Sequence, residues 1–558
     1  MRTEDANVPL LTETYDVLVY GGTVAGVAAA LAAARMGCRT VLLERGRHFG
    51  GMTASGLGSI DTTRTNAFGG IFNEFLELVR RHYIERYGPD SEQYRLTYGG
   101  FFMEPHVAGN VLNEMLAAQS GLTCMRGWEL ERALVDEHRL QGAGFRERSS
   151  GRQLMIRAQV CVDATYEGDL AARAGVDYRV GREGRSEYGE QYAGVIYYDW
   201  RYTRRCLHPA STGEASPNIQ ANCFRVTLTD DPAKRIPFSR PENYADFLPL
   251  YRTLAGDCAA GRVRFLSEVL WLNRLANRKY CVNGQIEALT SLDLAGPARR
   301  WPEATCEERD RLYQLYVGYT QGLFYYLQND PAVPRIMREE ASCFGLPPDE
   351  YPDNNHFPWQ LYVRQGRRIK GAYLLTESDS VPLPGQVRPA IHRDAIGIYE
   401  HSFDSHACCD RLEPGAVVRA DDGFELIEGV IWFRSRNQQF SPNRPATIPY
   451  RAILPERLDG LLVPSALSAT NVAFSSIRME PAWMATGHAA GVAAALAVRA
   501  GVPPRQVPIG PLQAELVAQR QVLVYFDDLR LDDPEFAAIQ LHAVTHGAPT
   551  FAVASARS

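Results

Sequence analysis

The segment TYDVLVYGGTVAGVAAALAAARMGCRTVLLERG, from Thr14 to Gly46, has residue types and spacing suited to holding a pyrophosphate. Gly21, Gly22 and Gly26 mark a turn between the apolar run Tyr15 to Tyr20 and an alanine-rich helix reaching about Gly37. The first glycine permits a tight turn, and Gly26 lets the helix pack closely on the strand. The unpaired N–H groups and positive dipole end of the helix then face phosphate oxygens. A second strand, TVLLE, ends at Glu44, 18 residues after Gly26, where a carboxylate accepts hydrogen bonds from ribose hydroxyls. Strand, helix and terminal acid together read as a dinucleotide-binding βαβ unit, the alternative being a purely structural crossover. Thr23 stands at the middle glycine of G-x-G-x-x-G. Its side chain takes space near the pyrophosphate, and its hydroxyl can itself bond a phosphate oxygen.

Other residues offer proton and anion chemistry. His406, in FDSH, offers an imidazole, the side chain most used for proton transfer, and Asp404 two residues earlier can orient it; the alternative is a satisfied core or surface histidine. In LYVRQGRR, Arg364, Arg367 and Arg368 have i, i+3, i+4 spacing, which on a helix shares one face and can hold an anionic substrate. A solvated face paired with local acids is the other reading. Tyr362, just before them, can donate to a substrate oxygen or serve as an ordinary core tyrosine.

The elements that must position these groups are readable in outline. RHFGGMTASGLGSIDTTR, from Arg47 to Arg64, is too long for an ordinary connection and is expected to lie over a cofactor. Helical periodicity follows over Phe68 to Tyr87 and Glu104 to Gly121, then the strands LTCMRG, WELERALVDE and RQLMIRAQVCVDAT. The last runs into ATYEGD and is expected to return to the nucleotide sheet. From about Arg185 to Pro445 the chain is aromatic- and proline-rich, and from Ile448 it turns apolar again, with the strand LLVPSA and a small-residue helix from about Glu480. These shifts divide the chain into residues 1–185 and 446–501 of a nucleotide domain, an inserted substrate domain over 186–445, and a helical extension over 502–558.

Composition narrows the function. The 558 residues carry a net charge of −6 and no basic run, which argues against nucleic acid as the main partner and leaves a small molecule. The eleven cysteines are scattered without a C-x-x-C pair, so neither a disulfide framework nor a metal site is indicated, and a reduced cytoplasmic setting is expected. Only three basic residues are lysines, a bias that points to a GC-rich bacterial genome. No charged-then-apolar leader and no 18-residue apolar run is present, so no integral membrane segment is expected. A single glycine fingerprint implies one cofactor. The small residues Gly487, Ala489, Ala490 and Gly491 favour a flavin, because the dipole of their helix can stabilise negative charge on a reduced isoalloxazine; tight packing by small residues is the competing explanation.

GGTVAGVAAALAAARMG, LERGRHFGGMTASGLG, VDATYEGDLAARAGVDYRVGRE, LYVRQGRRIKGAYLLTESD, FDSH and VPSALSATNVAFSSIRMEPAWMATGHAAGVAAALA together resemble the FAD-dependent oxidoreductase family of bacterial flavoproteins. That family lies in the glutathione-reductase-like FAD superfamily and is similar in its cofactor domain to fumarate reductase flavoproteins. The resemblance implies an α/β, Rossmann-like FAD-binding domain with an inserted α+β substrate domain, and non-covalent FAD. It places the pyrophosphate against Gly21, Gly22, Thr23 and Gly26, the ribose against Glu44 and Arg45, and Gly50, Gly51 and Met52 near the flavin or pyrophosphate. It places Asp163 and Ala164 in a strand closing over the cofactor, and Arg478, Pro481, Gly487 and Ala490 at the flavin. His488 stands where glutamine is more usual, and His48 is the one histidine able to approach the flavin. The expected reaction is hydride transfer from a small polar metabolite, a sugar, polyol or amine, to the flavin, with an electron acceptor that the residues do not name. Two alternatives stay open: a fumarate-reductase-like alkene reductase or desaturase whose arginines clamp carboxylates, and an electron-transfer or structural FAD-binding subunit.

Overall fold

The computed structural model describes residues 11–62, 64–199, 207–421, 423–433 and 441–547. Its organising element is a twisted sheet. β1 (Leu11–Tyr20), β2 (Thr40–Glu44), β3 (Leu122–Arg126), β4 (Trp128–Asp136), β5 (Arg139–Glu147) and β6 (Gln153–Asp163) stand in the spatial order β3-β2-β1-β6-β5-β4. β1 is central and parallel to both neighbours, with Tyr20 opposite Leu43 on one side and Asp163 on the other. The strand that runs into ATYEGD does return beside β1. β5 has no counterpart in the sequence reading, because Gly142 and Gly144 interrupt its pattern; a side chain on Gly142 would press against the Ile156 carbonyl.

Alternation along the strands fills both faces of the sheet. Val17, Val19, Leu42, Val160 and Val162 enter one core, while Leu18, Tyr20, Val41, Leu43 and Cys161 enter the other. α1 (Val24–Arg35) is buried from Val24 to Ala34, as a helix apolar on every side must be. α2 (Gly70–Tyr87) and α3 (Pro105–Ala117) share that first core.

The aromatic-rich middle of the chain forms its own small sheet and a helix pair. β7 (Val226–Thr229), β8 (Leu270–Arg274) and β9 (Lys279–Gly284) are antiparallel in the order β8-β9-β7. α4 (Tyr244–Ala259) and α5 (Cys306–Asn329) pack largely through aromatic rings, such as Phe247 against Tyr319 with centroids 5.2 Å apart. The buried hydroxyls find backbone carbonyls: Tyr251 donates to Tyr319 O at 2.7 Å, and Tyr316 to Leu294 O at 3.0 Å.

LYVRQGRR is extended, not helical, so the shared helix face expected for Arg364, Arg367 and Arg368 does not form. Gly366 supplies the reason, since its bare Cα lets this strand press on the Tyr166–Glu167 backbone, where a Cβ would lie 2.8 Å from Glu167 Cα. The chain then returns to the main sheet. β10 (Leu461–Leu462) pairs with Cys161 and Val162 of β6, and α6 (Glu480–Ala500) lies along α1. A Cβ on Gly487 would sit 2.6 Å from Ala25 Cα, and Gly491 lies equally close to Ala29. The small residues of α6 therefore serve the seam between two helices. His488 is buried behind it and bonds Gln519 at 2.7 Å. α7 (Ile509–Ala518) and α8 (Phe536–His546) complete the chain, and among the described residues no helix is long and apolar enough to cross a membrane.

Gly487→Ala is expected to lower the urea midpoint of unfolding by the equivalent of about 1–3 kcal/mol, with or without a bound dinucleotide. A loss seen only in the loaded protein would assign Gly487 to the ligand instead.

Candidate functional site

A cavity of about 510 Å³ opens where β1 turns into α1, walled by Gly21 and Thr23 of the turn, by Glu44 at the end of β2, and by Trp301, Arg309 and Trp359 from the middle of the chain. Gly21 has φ +105° and leaves no room for a side chain, because a Cβ would stand 2.6 Å from Thr165 N. Thr23 caps α1: its hydroxyl accepts from Gly26 N at 3.3 Å and donates to Ala164 O at 2.8 Å. The one hydroxyl proton is therefore engaged by a backbone carbonyl in this structure. The Glu44 carboxylate accepts from Gly22 N at 2.6 Å and Gly46 N at 2.5 Å, which moulds the turn around it. Burial raises its pKa, and these two N–H groups oppose the rise.

The loop Gly50–Met52 lies over this turn. Gly50 N donates to Gly22 O at 2.6 Å, and Met52 N donates to the Tyr166 hydroxyl at 3.0 Å. Tyr166 donates in turn to Glu480 Oε1 at 2.9 Å, while Thr53 donates to Glu480 Oε2 at 3.1 Å. Glu480 is wholly buried in the first turn of α6. Burial lifts its carboxyl to about 8, against the pull of the two hydroxyl donors.

A second cavity, of about 1010 Å³, lies on the far side of the extended segment. Gln360 and Leu361 line the first cavity and Tyr362 the second, so the chain steps between them in one residue. His406 sits at the second wall between two carboxylates, with Nδ1 2.7 Å from Asp293 and Nε2 3.4 Å from Asp404. Each carboxylate is held from behind by an arginine: Arg364 pairs with Asp293 at 2.8 Å, and Arg478 with Asp404 at 2.9 Å. Arg478 also donates to the Tyr362 hydroxyl at 3.0 Å. Burial alone would raise both acids, but Arg364 and His406 hold Asp293 down at about 2, and His406 and Arg478 hold Asp404 well below the carboxylate range. Desolvation raises the Tyr362 phenol, opposed by Arg478.

A family model for FAD dependent oxidoreductases matches residues 16–516. The chain belongs to this family. Its sheet has the Rossmann-like topology of that family's FAD-binding fold. A comparison with curated protein sequences finds no match. Among solved structures it is similar to Mycobacterium smegmatis Sdh1 in complex with UQ1, at 16% identity and TM-score 0.22, over 32% of this chain and 42% of that one. It is also similar to the glycerol-3-phosphate dehydrogenase from Bacillus halodurans complexed with FAD, at 14% identity and TM-score 0.21, over 35% of this chain and 44% of that one. The chain thus spans less than half the length of either.

The residues of the first cavity fit the nucleotide. α1 opens on its wall with first-turn N–H groups that the helix leaves unpaired, the glycines make a cradle a Cβ would fill, and Glu44 offers a carboxylate. Gly21, Gly22, Thr23, Gly26 and Glu44 come together here, with Gly50, Gly51 and Met52 packed on them. Arg45 also lines this cavity. Its guanidinium bonds Asp310 at 3.0 and 2.8 Å, tying β2 to α5. Asp163 and Ala164 brace the turn from behind: Asp163 accepts from Thr165 and Ala171, with burial lifting its carboxyl to about 6. His48 stacks on Trp359 and meets Asp353 at 2.8 Å, at the nucleotide cavity and away from Tyr362 and His406.

Of the residues expected to be catalytic, Tyr362 and His406 converge on the second cavity; Arg478, expected at the flavin, stands behind it on Tyr362 and Asp404, and Pro481 follows Glu480 in α6. Arg364 stands one layer behind, on Asp293. Arg368 lies elsewhere, donating to Glu183 at 2.8 Å and to two carbonyls in a fully buried seat. Sequence reading gave no role to Asp293, Tyr166 and Glu480, whose contacts are remote in the chain: Asp293 meets His406 across 113 residues, and Tyr166 meets Met52 across 114 and Glu480 across 314. Among the described residues Glu104, His106 and Glu350 have a metal-binding composition, but the Lys279 ammonium lies 2.8 Å from both glutamates.

Removing the Glu44 carboxylate takes away the acceptor that shapes the glycine turn, so Glu44→Ala is expected to weaken FAD binding at least about tenfold in a flavin-fluorescence titration. Glu480 gives a pH signature. Its native carboxyl binds a proton between its ordinary range and about 8, where the unfolded chain has released it, so its contribution to stability falls as pH rises through that window. Urea midpoints at pH 5 and pH 8 should therefore differ more in the wild-type protein than in Glu480→Gln.

Proposed function

We propose that this oxidoreductase is a dehydrogenase or oxidase acting on a small polar metabolite that carries a hydroxyl on the carbon to be oxidised, such as a sugar or polyol, with amines as the neighbouring class. The observation that carries this reading is the setting of His406. Asp293 orients the ring through Nδ1, which sets Nε2, 3.4 Å from Asp404 at the cavity wall, as the nitrogen that exchanges a proton with the substrate. Tyr362, beneath Arg478, faces the same space and can donate to the substrate oxygen. When bound, FAD supplies the acceptor for the hydride that leaves the substrate carbon. His406 takes the hydroxyl proton as the carbonyl forms, and the imidazolium is stabilised between Asp293 and Asp404. Arg364 and Arg478 keep those carboxylates ionised and in place.

The pairing of the arginines weighs against an alkene reductase. Arg364 and Arg368, which would clamp substrate carboxylates, are committed to Asp293 and Glu183. The same reading keeps residues 1–185 and 446–501 as the FAD domain, 186–445 as the substrate domain and 502–558 as an extension, with FAD held non-covalently, an external electron acceptor and a cytoplasmic location.

His406→Ala is expected to slow anaerobic flavin reduction by about 100-fold or more while FAD stays bound. Asp293→Asn should slow it as well, by loosening the hold on the ring. Stopped-flow flavin absorbance with a panel of sugars, polyols and amines makes the measurement, and unchanged rates in His406→Ala would remove this residue from the reaction.

A further inference from the structure

The second cavity carries a set of residues that proton transfer at His406 does not use. Trp271, on β8, stands at its lining with 49% of its surface exposed. Its indole N–H donates to Asn273 Oδ1 at 2.9 Å, and Asn273 Nδ2 donates to Ser59 Oγ at 2.9 Å. The ring is therefore held in place by a side-chain hydrogen bond while much of its apolar surface remains open to water. A large aromatic surface in that state is suited to cover by a ligand, and its electron-rich face attracts the weakly positive C–H face of a sugar ring.

The charges of the cavity say what kind of ligand it takes. Asp61, Arg64, Arg225 and Asp404 line it, two acids and two bases. Arg225 pairs with Asp61 at 3.5 Å, Arg64 with Glu400 at 3.3 Å, and Asp404 with Arg478 at 2.9 Å. Among the described residues a charged ligand would give up hydration without meeting an unmatched counter-charge, whereas a neutral ligand rich in hydroxyls avoids that cost. Asn283 and Gln285 add side-chain amides, which both donate and accept. The volume of about 1010 Å³ stands at the upper end of the roughly 300–1,000 Å³ usual for small-ligand sites, and is more than one sugar ring fills.

We infer that the substrate is a neutral oligosaccharide, with one sugar ring at His406 and Tyr362 and a further ring stacked on Trp271. The inference rests on the dehydrogenase or oxidase reading of the same cavity. Trp271 acts in it as a binding platform and takes no part in the chemical step.

The test uses the FAD-loaded protein and its Trp271→Ala and Trp271→Phe variants. Each is titrated calorimetrically with glucose, galactose, mannose and xylose and with the disaccharides and trisaccharides built from them, and the same mixtures are followed anaerobically for flavin bleaching. At least one oligosaccharide should bind tenfold or more tightly than its monosaccharide. Trp271→Ala should erase that advantage, Trp271→Phe should restore part of it, and monosaccharide affinity and FAD content should not change. Absence of saccharide binding, oligosaccharides that bind no better than monosaccharides, or an advantage that survives Trp271→Ala would each overturn the inference. Trp271-dependent binding that never bleaches the flavin would uphold the platform and remove the oxidation reading. Bleaching by a simple polyol or an amine, without oligosaccharide binding, would do the reverse.

Discussion

Two guanidiniums that do not reach solvent, Arg364 and Arg478, decide the arrangement of the larger cavity. A buried cation is tolerable only beside an anion, so each draws a carboxylate to itself, Asp293 and Asp404. Those carboxylates come from distant parts of the chain, and His406 is caught between them. The position of the imidazole is thus a by-product of charge matching one layer deeper. Arg478 leads directly into the helix that runs along α1, so the same pairing couples the substrate wall to the nucleotide fold.

That fold depends on close backbone approach. Gly21, Gly26 and Gly487 lie where a single added carbon would collide with backbone, and these contacts align the sheet, α1 and α6 into one stack. Packing this tight tolerates little adjustment. It also explains why α1 is nearly all alanine and glycine with short aliphatics: a helix covered on both sides has no polar face to show.

The βαβ unit was legible because every one of its signals is local: an apolar strand, a glycine turn, a small-residue helix and an acid at the end of the next strand lie within about thirty residues. The α/β class, the late return of the chain to the sheet and the helix near Glu480 follow from the same periodicities. The placement of His406 and Tyr362 in one cavity depended on contacts that sequence spacing does not encode. LYVRQGRR shows why. Its arginine spacing matches a helix, but the local pattern yields to Gly366, which seats the strand on the Tyr166–Glu167 backbone and sends Arg364 and Arg368 to separate partners. Gly487 likewise reads as a cofactor contact by composition and as a helix seam by geometry, because the same smallness serves either.

The wall of the nucleotide cavity is drawn from two stretches that are far apart in the chain. Arg45 of the sheet side grips Asp310 on α5, and Arg309 of α5 grips Asp169 beside the ATYEGD turn, a reciprocal pair of straps across the opening. A ligand seated between them touches both halves at once and so acts as a bolt, adding its own binding free energy to the docking of the insertion. The substrate chamber is built on that insertion. A bound nucleotide therefore reinforces a docking that the buried Arg478–Asp404 and Arg368–Glu183 pairs already hold from the other side.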